Sequence, residues 1–285
     1  MLTGKKRGTQ AVRIAEGIGG RLLLAAILVV WIFPIYWLVL TAFKLKVDIQ
    51  SQNPVWIVAP VLDNFQWLQQ PGNFSYTPVG RSVVAMLVSV TIAIFFGSLM
   101  AYALARFDFR RRNDVEFWII STRMLPPEAL IIPYYVIMIR LHLVDSVIGL
   151  IIVYTALNLP VVVWILLAFY RMLPVAVEEA ARIDGCSRWG AYLRVVVPIS
   201  ASSIMATVLI TAILTWNEFF VAFILTSANI TLPVELSSFQ ANGFNPQYGP
   251  MMAAGLLLTA PTVLVAIIGR KQLIRGLQGF AGEAA

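Results

Sequence analysis

Residues 178–198 read EEAARIDGCSRWGAYLRVVVP. This stretch is the longest hydrophilic interruption in the second half of a very apolar chain, and long apolar runs flank it on both sides. Its first half carries the charged residues Glu178, Glu179, Arg182, Asp184 and Arg188. Charges are expensive at the centre of a bilayer, so the segment is expected to lie outside the lipid.

The pattern of the stretch predicts two short helices that meet at Gly185. Pro174 suits a first helical position, and the two adjacent glutamates fall in early turns, where the helix dipole favours acids. Asp184-Gly185 is a stop signal, because glycine is the preferred left-handed residue after a helix. Ser187 can cap the second helix, and Pro198 closes the segment before the next apolar run.

The first of these helices has a small surface at Ala180 and Ala181, between Glu179 and Arg182. Such a surface fits the groove of a partner protein, with its carboxylates meeting basic residues there. The alternative is an amphipathic helix on anionic lipid. Lipid of that charge would repel the acidic residues of the segment, so a protein partner is favoured.

The composition is that of an all-α integral membrane protein. Hydrophobic residues make up 59% of the chain, charged residues 12%, and the mean hydropathy is +0.82, whereas soluble domains carry about 25% charged residues. The net charge of +7 comes from basic residues beside apolar runs, which indicates membrane topology rather than nucleic-acid binding.

Several functions are excluded or disfavoured. Cys186 is the one cysteine and His142 the one histidine, so neither an internal disulfide nor a multi-histidine metal site is expected. The chain has no G-x-x-x-x-G-K-[ST] loop for ATP hydrolysis. It also has no H-E-x-x-H motif and no nucleophile–base constellation, so no catalytic residue, metal site or cofactor is assigned and a membrane enzyme is disfavoured.

Six transmembrane helices are predicted, at Leu22–Ala42, Arg81–Leu104, Glu116–Ile139, Val147–Phe169, Ser202–Leu225 and Met251–Gly269. The first run is too long for the apolar part of a signal peptide. With both termini cytoplasmic, 16 of the 21 basic residues fall in cytoplasmic segments, as the positive-inside rule requires. The expected organisation is 1–80 (tail, first span and external segment), a core at 81–270 with coupling helices at 174–198, and a tail at 271–285.

Two spans carry patterns of their own. The second holds small residues four apart, which predict a close helix–helix contact: Ala85, Ser89, Ala93, Gly97, Ala101 and Ala105. The third is irregular because it contains charges and several prolines. In the external segment, Asp63-Asn64-Phe65 can begin a short helix.

The intramembrane polar residues leave alternatives open. Arg123 and Glu128 lie near a transport path, or form a pair that stabilises a kink. Asn217 and Glu218, beside Trp216, line the outer half of a path or support an outer loop, or clamp two helices by hydrogen bonds. An ion-gradient-driven secondary transporter would use Arg123, Glu128 and Glu218.

The central motif resembles the signature of permease subunits of binding-protein-dependent ABC importers. The signature reads E-A-A, three residues, G, nine residues, then aliphatic-x-aliphatic-Pro, and it stands here as Glu179-Ala180-Ala181, Gly185 and 195–198. Both usual aliphatic residues are valine. The fuller form, with WNEF at 216–219, TLPV at 231–234, RMLPP at 123–127 and RGL at 275–277, resembles the carbohydrate subfamily related to the maltose permease, although the final residues depart from it.

This resemblance implies the type I ABC importer permease fold in a bacterial or archaeal cytoplasmic (inner) membrane. It implies two ATPase subunits that bind ATP and Mg, a second and different permease chain, and an external solute-binding protein. The ATPases would grip the coupling helix through Glu178, Glu179, Ala180, Ala181, Asp184 and Gly185, with Pro198 ending the motif. A sugar or sugar-like solute would cross by alternating access.

Overall fold

The structure, a computed structural model, describes residues 5–241 and 247–281. These ranges contain helices and loops and no strand. In chain order the helices are α1 (Lys5–Ala42), α2 (Lys46–Ile49), α3 (Asp63–Gln69), α4 (Thr77–Arg106), α5 (Arg112–Ser121), α6 (Pro127–Arg140), α7 (Val147–Met172), α8 (Val175–Ile183), α9 (Arg188–Ala191), α10 (Val197–Ile199), α11 (Ala201–Trp216), α12 (Phe220–Leu225), α13 (Leu232–Ala241) and α14 (Tyr248–Ala281). A 3-10 turn (Thr122–Met124) follows α5, and a π-helical turn (Tyr192–Val196) follows α9.

The chain divides into two compact units. Within the described ranges, the first contains residues 5–74 and 247–257, and the second contains 75–241 and 258–281. In the first unit, α3 begins at Asp63, which confirms the short helix predicted there. The second unit contains α4 to α13 and includes the hydrophilic stretch 178–198.

The core of the second unit is built on the contact between α4 and α7. The predicted stripe of small residues is buried on α4, from Ala85 to Ala101, with Ala105 partly buried. Gly97 marks the closest approach, because a Cβ added there would lie 2.5 Å from Val162 Cγ1 and 2.9 Å from its Cβ. Small residues are therefore required on α4 for the two backbones to approach this closely.

The predicted spans are continuous in four places and broken in two. Helices at Gly20–Ala42, Thr77–Arg106, Val147–Met172 and Tyr248–Arg270 are long and apolar enough to cross a membrane. The predicted third span, Glu116–Ile139, is instead α5, a 3-10 turn and α6, because Pro126 cannot continue a helix. The predicted fifth span, Ser202–Leu225, is interrupted after Trp216.

A sharp bend leads from the long hydrophilic stretch into α11. The segments Arg188–Ile199 and Ala201–Trp216 meet at 73°, and together they would make a fifth span. The π-helical turn lies just before Pro198, whose ring removes a backbone hydrogen-bond donor. A single wide turn beside a proline is a common way to relieve the lost hydrogen bond.

The close α4–α7 contact gives a testable prediction. Gly97→Ala should be less stable than Gly80→Ala by about 1–3 kcal/mol, the usual cost of overpacking a core. Gly80 is the matched control because it lies on the same helix and an added Cβ there meets no atom within 4 Å. Both changes gain the same helix propensity, so thermal unfolding of the two purified variants isolates the contact. Equal stabilities would contradict the packing described here.

Candidate functional site

The end of α8 has the geometry that its sequence predicts. Gly185 has a φ of 91°, which is left-handed and suits glycine. Its N–H donates to the Arg182 carbonyl at 3.1 Å, and the Cys186 N–H donates to the Ala181 carbonyl at 3.0 Å. This pair of bonds is a Schellman motif, which satisfies the last carbonyls of the helix and reverses the chain. Pro174 is the N-cap of the helix rather than its first residue.

The second helix also begins where the sequence predicts. Ser187 is extended, and its Oγ accepts a hydrogen bond from the Gly190 N–H at 3.1 Å. That bond satisfies one of the free donors at the start of α9. The helix continues through the π-helical turn, and Pro198 lies inside α10 rather than closing the segment. Residues 175–199 therefore form a bent pair of helices joined at Gly185.

The two adjacent glutamates of α8 point to different surroundings. Glu179 and Ala180 are exposed, together with Arg182 and Asp184, and Ala181 is partly exposed. Glu178 is only 7% exposed. The exposed side also carries Ile183, which is 86% exposed.

Glu178 is held inside by a buried ion pair. Its carboxylate accepts hydrogen bonds from Arg106 Nε at 2.5 Å and from the Tyr102 hydroxyl at 2.8 Å. Arg106 also donates from Nη2 to the Leu173 carbonyl at 2.9 Å. The side chains of the pair are 9% and 10% exposed. We call this group, Tyr102, Arg106 and Glu178, the latch, because it fastens α8 to the end of α4.

An aromatic cluster lies beside the latch. The rings of Tyr102 and Tyr192 have centroids 4.6 Å apart. The Ser98 Oγ lies 2.6 Å from the hydroxyls of both Tyr170 and Tyr192. These side chains come from α4, α7 and the π-helical turn, so one polar cluster joins the α8–α9 segment to two long helices.

Sequence reasoning did not identify the latch partners. Arg106 follows a long apolar run, where a basic residue is expected at the cytoplasmic end of a span, and no predicted site includes Tyr102, Tyr170 or Tyr192. A weak signal was present, since Ser98 and Tyr102 lie on the face of α4 adjacent to the small-residue stripe. Two neighbouring glutamates also differ by about 100° around a helix, so they cannot share one surface.

The break between α11 and α12 accounts for the predicted Trp-Asn-Glu residues. Glu218 accepts hydrogen bonds from the N–H groups of Val221 at 2.9 Å and Ala222 at 3.3 Å, so it caps α12. Trp216 is buried, and its indole N–H donates to the Leu258 carbonyl at 2.9 Å. Asn217 is exposed and donates to the carbonyl one turn earlier. Glu218 therefore caps α12 and Trp216 contacts α14, whereas Asn217 is exposed and bonds within its own helix.

The interhelical clamp in this region is Asn158. Its Nδ2 donates to the Tyr154 carbonyl at 2.8 Å and to Thr215 Oγ1 at 3.0 Å. Thr207, Thr211 and Thr215 form a buried row on one face of α11. The clamp joins α7 to α11 and was not assigned from the sequence.

Arg123 and Glu128 lie apart from the sites above. Both are exposed, and no ion pair joins them in the portion of the chain that the structure describes. Arg123 makes one long contact, 3.5 Å from Nη1 to the Leu157 carbonyl. The kink between α5 and α6 is therefore formed without the Arg123–Glu128 pair, and the proline pair at 126–127 accounts for it.

Asp145, just before the start of α7, holds the loop that follows α12. One carboxylate oxygen accepts from the N–H groups of Ser227 at 2.9 Å, Ala228 at 3.0 Å and Asn229 at 2.8 Å. The Asn229 amide returns a hydrogen bond to the Asp145 carbonyl at 2.7 Å. Desolvation alone would raise the pKa of Asp145, but these donors outweigh it and lower that pKa below its ordinary value.

Comparison with known proteins decides the family. Residues 93–278 match the model of the binding-protein-dependent transport system inner membrane component. The chain belongs to this family. The match includes α8 and the C-terminal part of α4 from residue 93, and it confirms the resemblance found in the sequence.

Individual permeases agree with this assignment. The probable ABC transporter permease protein y4oR of Sinorhizobium fredii is 33% identical over 87% of this chain and 89% of its own. The diacetylchitobiose uptake system permease protein DasC of Streptomyces coelicolor is 30% identical over 88% and 91%. A crystal structure of a bacterial ABC transporter involved in the import of the acidic polysaccharide alginate shares the fold, with a TM-score of 0.77, 22% identity, and coverage of 92% and 97%.

The latch gives a prediction with an internal control. Glu178→Gln or Arg106→Met should each destabilise the permease by about 3–5 kcal/mol, because each leaves one buried charge without its partner. The double variant should lose much less than the sum. Glu116→Gln is the control. Its ion pair with Arg171 is more exposed, since the Arg171 side chain is 39% exposed and the Glu116 side chain is 20% exposed. Such pairs contribute about 0–1 kcal/mol.

Chemical unfolding of the purified variants measures all four free energies. Additive losses in the double variant, or a Glu116→Gln loss as large as that of Glu178→Gln, would contradict a coupled buried pair.

The Asp145 loop gives a prediction about pH. Asp145→Asn should cost about 1 kcal/mol near neutral pH, since partly exposed charge-assisted hydrogen bonds are weak. The folded pKa is depressed, so this contribution is fully present above the unfolded pKa of about 3.9 and is lost as pH falls through the folded pKa. Thermal unfolding of both proteins from pH 7 downward should show the difference begin to shrink near pH 4 and vanish below the folded pKa of Asp145. A difference that grows on acidification would contradict it.

Proposed function

We propose that the chain is the transmembrane permease subunit of an ATP-driven importer for a sugar or sugar-like solute. Two separate ATPase subunits bind ATP and Mg and contact α8. A second permease, a different chain, completes the pathway, and an external binding protein delivers the solute. The membrane is the bacterial inner membrane.

The division of α8 into two faces carries this proposal. One face supplies exposed Glu179, Ala180 and Ile183, a small, partly apolar surface with one acid at its edge. The other face is fixed by the buried Glu178. A helix that is free on one side and fastened on the other is suited to receive force from a partner.

The latch supplies the route for that force. Arg106 joins Glu178 to α4, and Tyr192 joins the following turn to Ser98 of the same helix. Because the latch is buried and short, movement of α8 displaces α4 rather than bending a loop. Rocking of α8 by the ATPases then becomes a rigid-body switch between two states of the pathway.

Six spans with both termini cytoplasmic fit the distribution of basic residues. In this arrangement α8 faces the cytoplasm and the Asp145 loop faces outward. The four continuous apolar helices make four spans, the bent pair ending at Trp216 makes a fifth, and α5 with α6 makes a broken sixth. Broken helices at membrane depth are tolerated where they face protein or a water-filled cavity.

The solute class rests on the carbohydrate-type motifs and on the similarity to DasC, a permease protein of a diacetylchitobiose uptake system. Asn217 is the best placed of the predicted path residues, since it is exposed while Trp216 and Glu218 are engaged. Arg123 and Glu128 are exposed as well and remain path candidates.

The test is charge reversal on the free face of α8. Glu179→Lys in the assembled importer should lower solute uptake at least tenfold, while the protein inserts and folds normally. Gly185→Leu should also lower solute uptake. The φ of 91° at this position disfavours any side chain, and the leucine would project from the surface into open space. Asp114→Lys is the matched control, an exposed acid in the first turn of α5.

Uptake and ATP hydrolysis are measured together in proteoliposomes that contain all subunits and the external binding protein. Normal uptake by both the Glu179 and Gly185 variants would remove the coupling role from α8. Uptake by the chain alone, driven by a proton or sodium gradient, would overturn the proposal in favour of a secondary transporter.

A further inference from the structure

A cavity of about 260 Å³ lies at the end of α1 within the first unit. Trp37 and Thr41 from the last turns of α1 form one side. Lys44, Asp48 and Tyr248 also line it, and the other lining residues are Ile49, Ser51, Gln52, Pro54 and Met252. The latch and the Asp145 loop use none of these residues, so the cavity is separate from the features already described.

Lys44 is an unusual wall residue. It is only 2% exposed, and its Nζ lies 4.4 Å from the centroid of the Trp37 ring. No carboxylate pairs with it in the ranges that the structure describes. A buried ammonium is costly without a partner. A desolvated cation–π contact recovers about 2 kcal/mol or more, but the ring face offers none of the oxygen acceptors that the three N–H donors of the ammonium require. The side chain therefore has hydrogen-bonding capacity left for an occupant of the cavity.

Thr41 gives a second and independent sign. It is 5% exposed, and its Oγ1 is buried without a hydrogen-bond partner among the described residues. Buried polar atoms are nearly always paired, so an orphan in a cavity wall points to a bound polar group. Asp48 lines the same cavity and does not pair with Lys44. Lys44 and Asp48 thus line one cavity with opposite charges and do not form an ion pair.

The wall is held in place by its surroundings. Asn64 is buried, and its Nδ2 donates to the carbonyls of Ala42 at 3.0 Å and Lys44 at 2.8 Å. Its amide packs so closely on Gly249 that a Cβ there would lie 2.2 Å from Asn64 Oδ1. Val61 adds a backbone bond to the Phe43 carbonyl at 3.0 Å. The turn that carries Lys44 is therefore preorganised, as a binding site requires.

The chemistry of the wall selects the class of ligand. An ammonium and a hydroxyl supply donors, a carboxylate supplies acceptors, and tryptophan and tyrosine supply aromatic surface. A purely apolar molecule would leave the buried ammonium unsatisfied, and an anion would face the Asp48 carboxylate. A neutral polyhydroxylated molecule satisfies both charges. The volume is below the range of about 300–1,000 Å³ for drug-sized ligands, which suits a single sugar unit.

We propose that the Lys44 cavity binds one neutral sugar unit. The inference rests on the proposed function, because it takes the solute to be a sugar and the end of α1 to face outward. The site would hold the solute on the outer side of the membrane, through Lys44, Thr41 and Asp48, before transport.

The test uses the purified full-length chain in lipid nanodiscs. Saturation-transfer NMR is recorded with D-glucose, D-galactose, D-mannose and N-acetyl-D-glucosamine, and with D-glucuronate as the anionic comparison. At least one neutral sugar should bind, and Lys44→Met and Thr41→Val should each weaken its affinity at least tenfold. Thr91→Val is the matched control, because that exposed hydroxyl on α4 donates within its own helix and does not line the cavity.

Three outcomes would overturn the inference. The first is no signal from any neutral sugar with the unsubstituted chain, a result that does not depend on how the variants fold. The second is equal affinity in the Lys44 and Thr41 variants and the unsubstituted chain. The third is tighter binding of glucuronate than of the neutral sugars, which would reassign the cavity to anions.

The same sugars are tested for uptake in the assembled importer. Sugar uptake without binding at the cavity would contradict this inference and leave the proposed function intact. Binding at the cavity without uptake of any sugar would support the sugar site and contradict the proposed function. If the Lys44 and Thr41 variants abolish stimulation of ATP hydrolysis by the external binding protein and bind sugar normally, the cavity receives that partner and the sugar site is wrong.

Discussion

The structure of the second unit depends on keeping the Arg106 and Glu178 charges together. Both groups are buried, and an isolated buried charge costs several kcal/mol. The ion pair therefore cannot separate partially, because either both charges remain paired or both must reach water. This constraint makes α8 an extension of α4, although 68 residues of other structure, 107–174, separate the two helices along the chain.

The long helices connect this fastening to the opposite end of the unit. α7 has 26 residues, which at 1.5 Å per residue span about 39 Å. Its close contact with α4 leaves no space for sliding at Gly97, so the two helices behave as one body. At the far end, Asp145 attaches the loop after α12 through three backbone donors. A displacement at α8 and the position of that loop are thus linked through packed helices rather than through flexible chain.

Local rules explain what the sequence could predict. The left-handed Gly185, the Ser187 cap and the small-residue face of α4 each follow from a few neighbouring residues. Which of two adjacent glutamates turns inward does not, since that choice depends on Arg106, far away in the chain. The interruption of the third span was visible in its prolines, but its division into two helices was not. The burial of Lys44 could not be predicted either, because a lysine after an apolar run is usually exposed. In the fold, Trp37 and Asn64 contact this residue and help to bury it.

The wide turn at Tyr192–Val196 has a consequence for insertions and deletions. A π-helical turn contains one residue more than an α-helical turn, so converting it to an α-helical turn without deleting a residue would rotate the following chain by about 100°. The threonine face of α11 would then turn away from Asn158, even though every side chain of α11 was unchanged. The number of residues between Ser187 and Ser200, together with the width of this turn, therefore sets the rotational phase of α11.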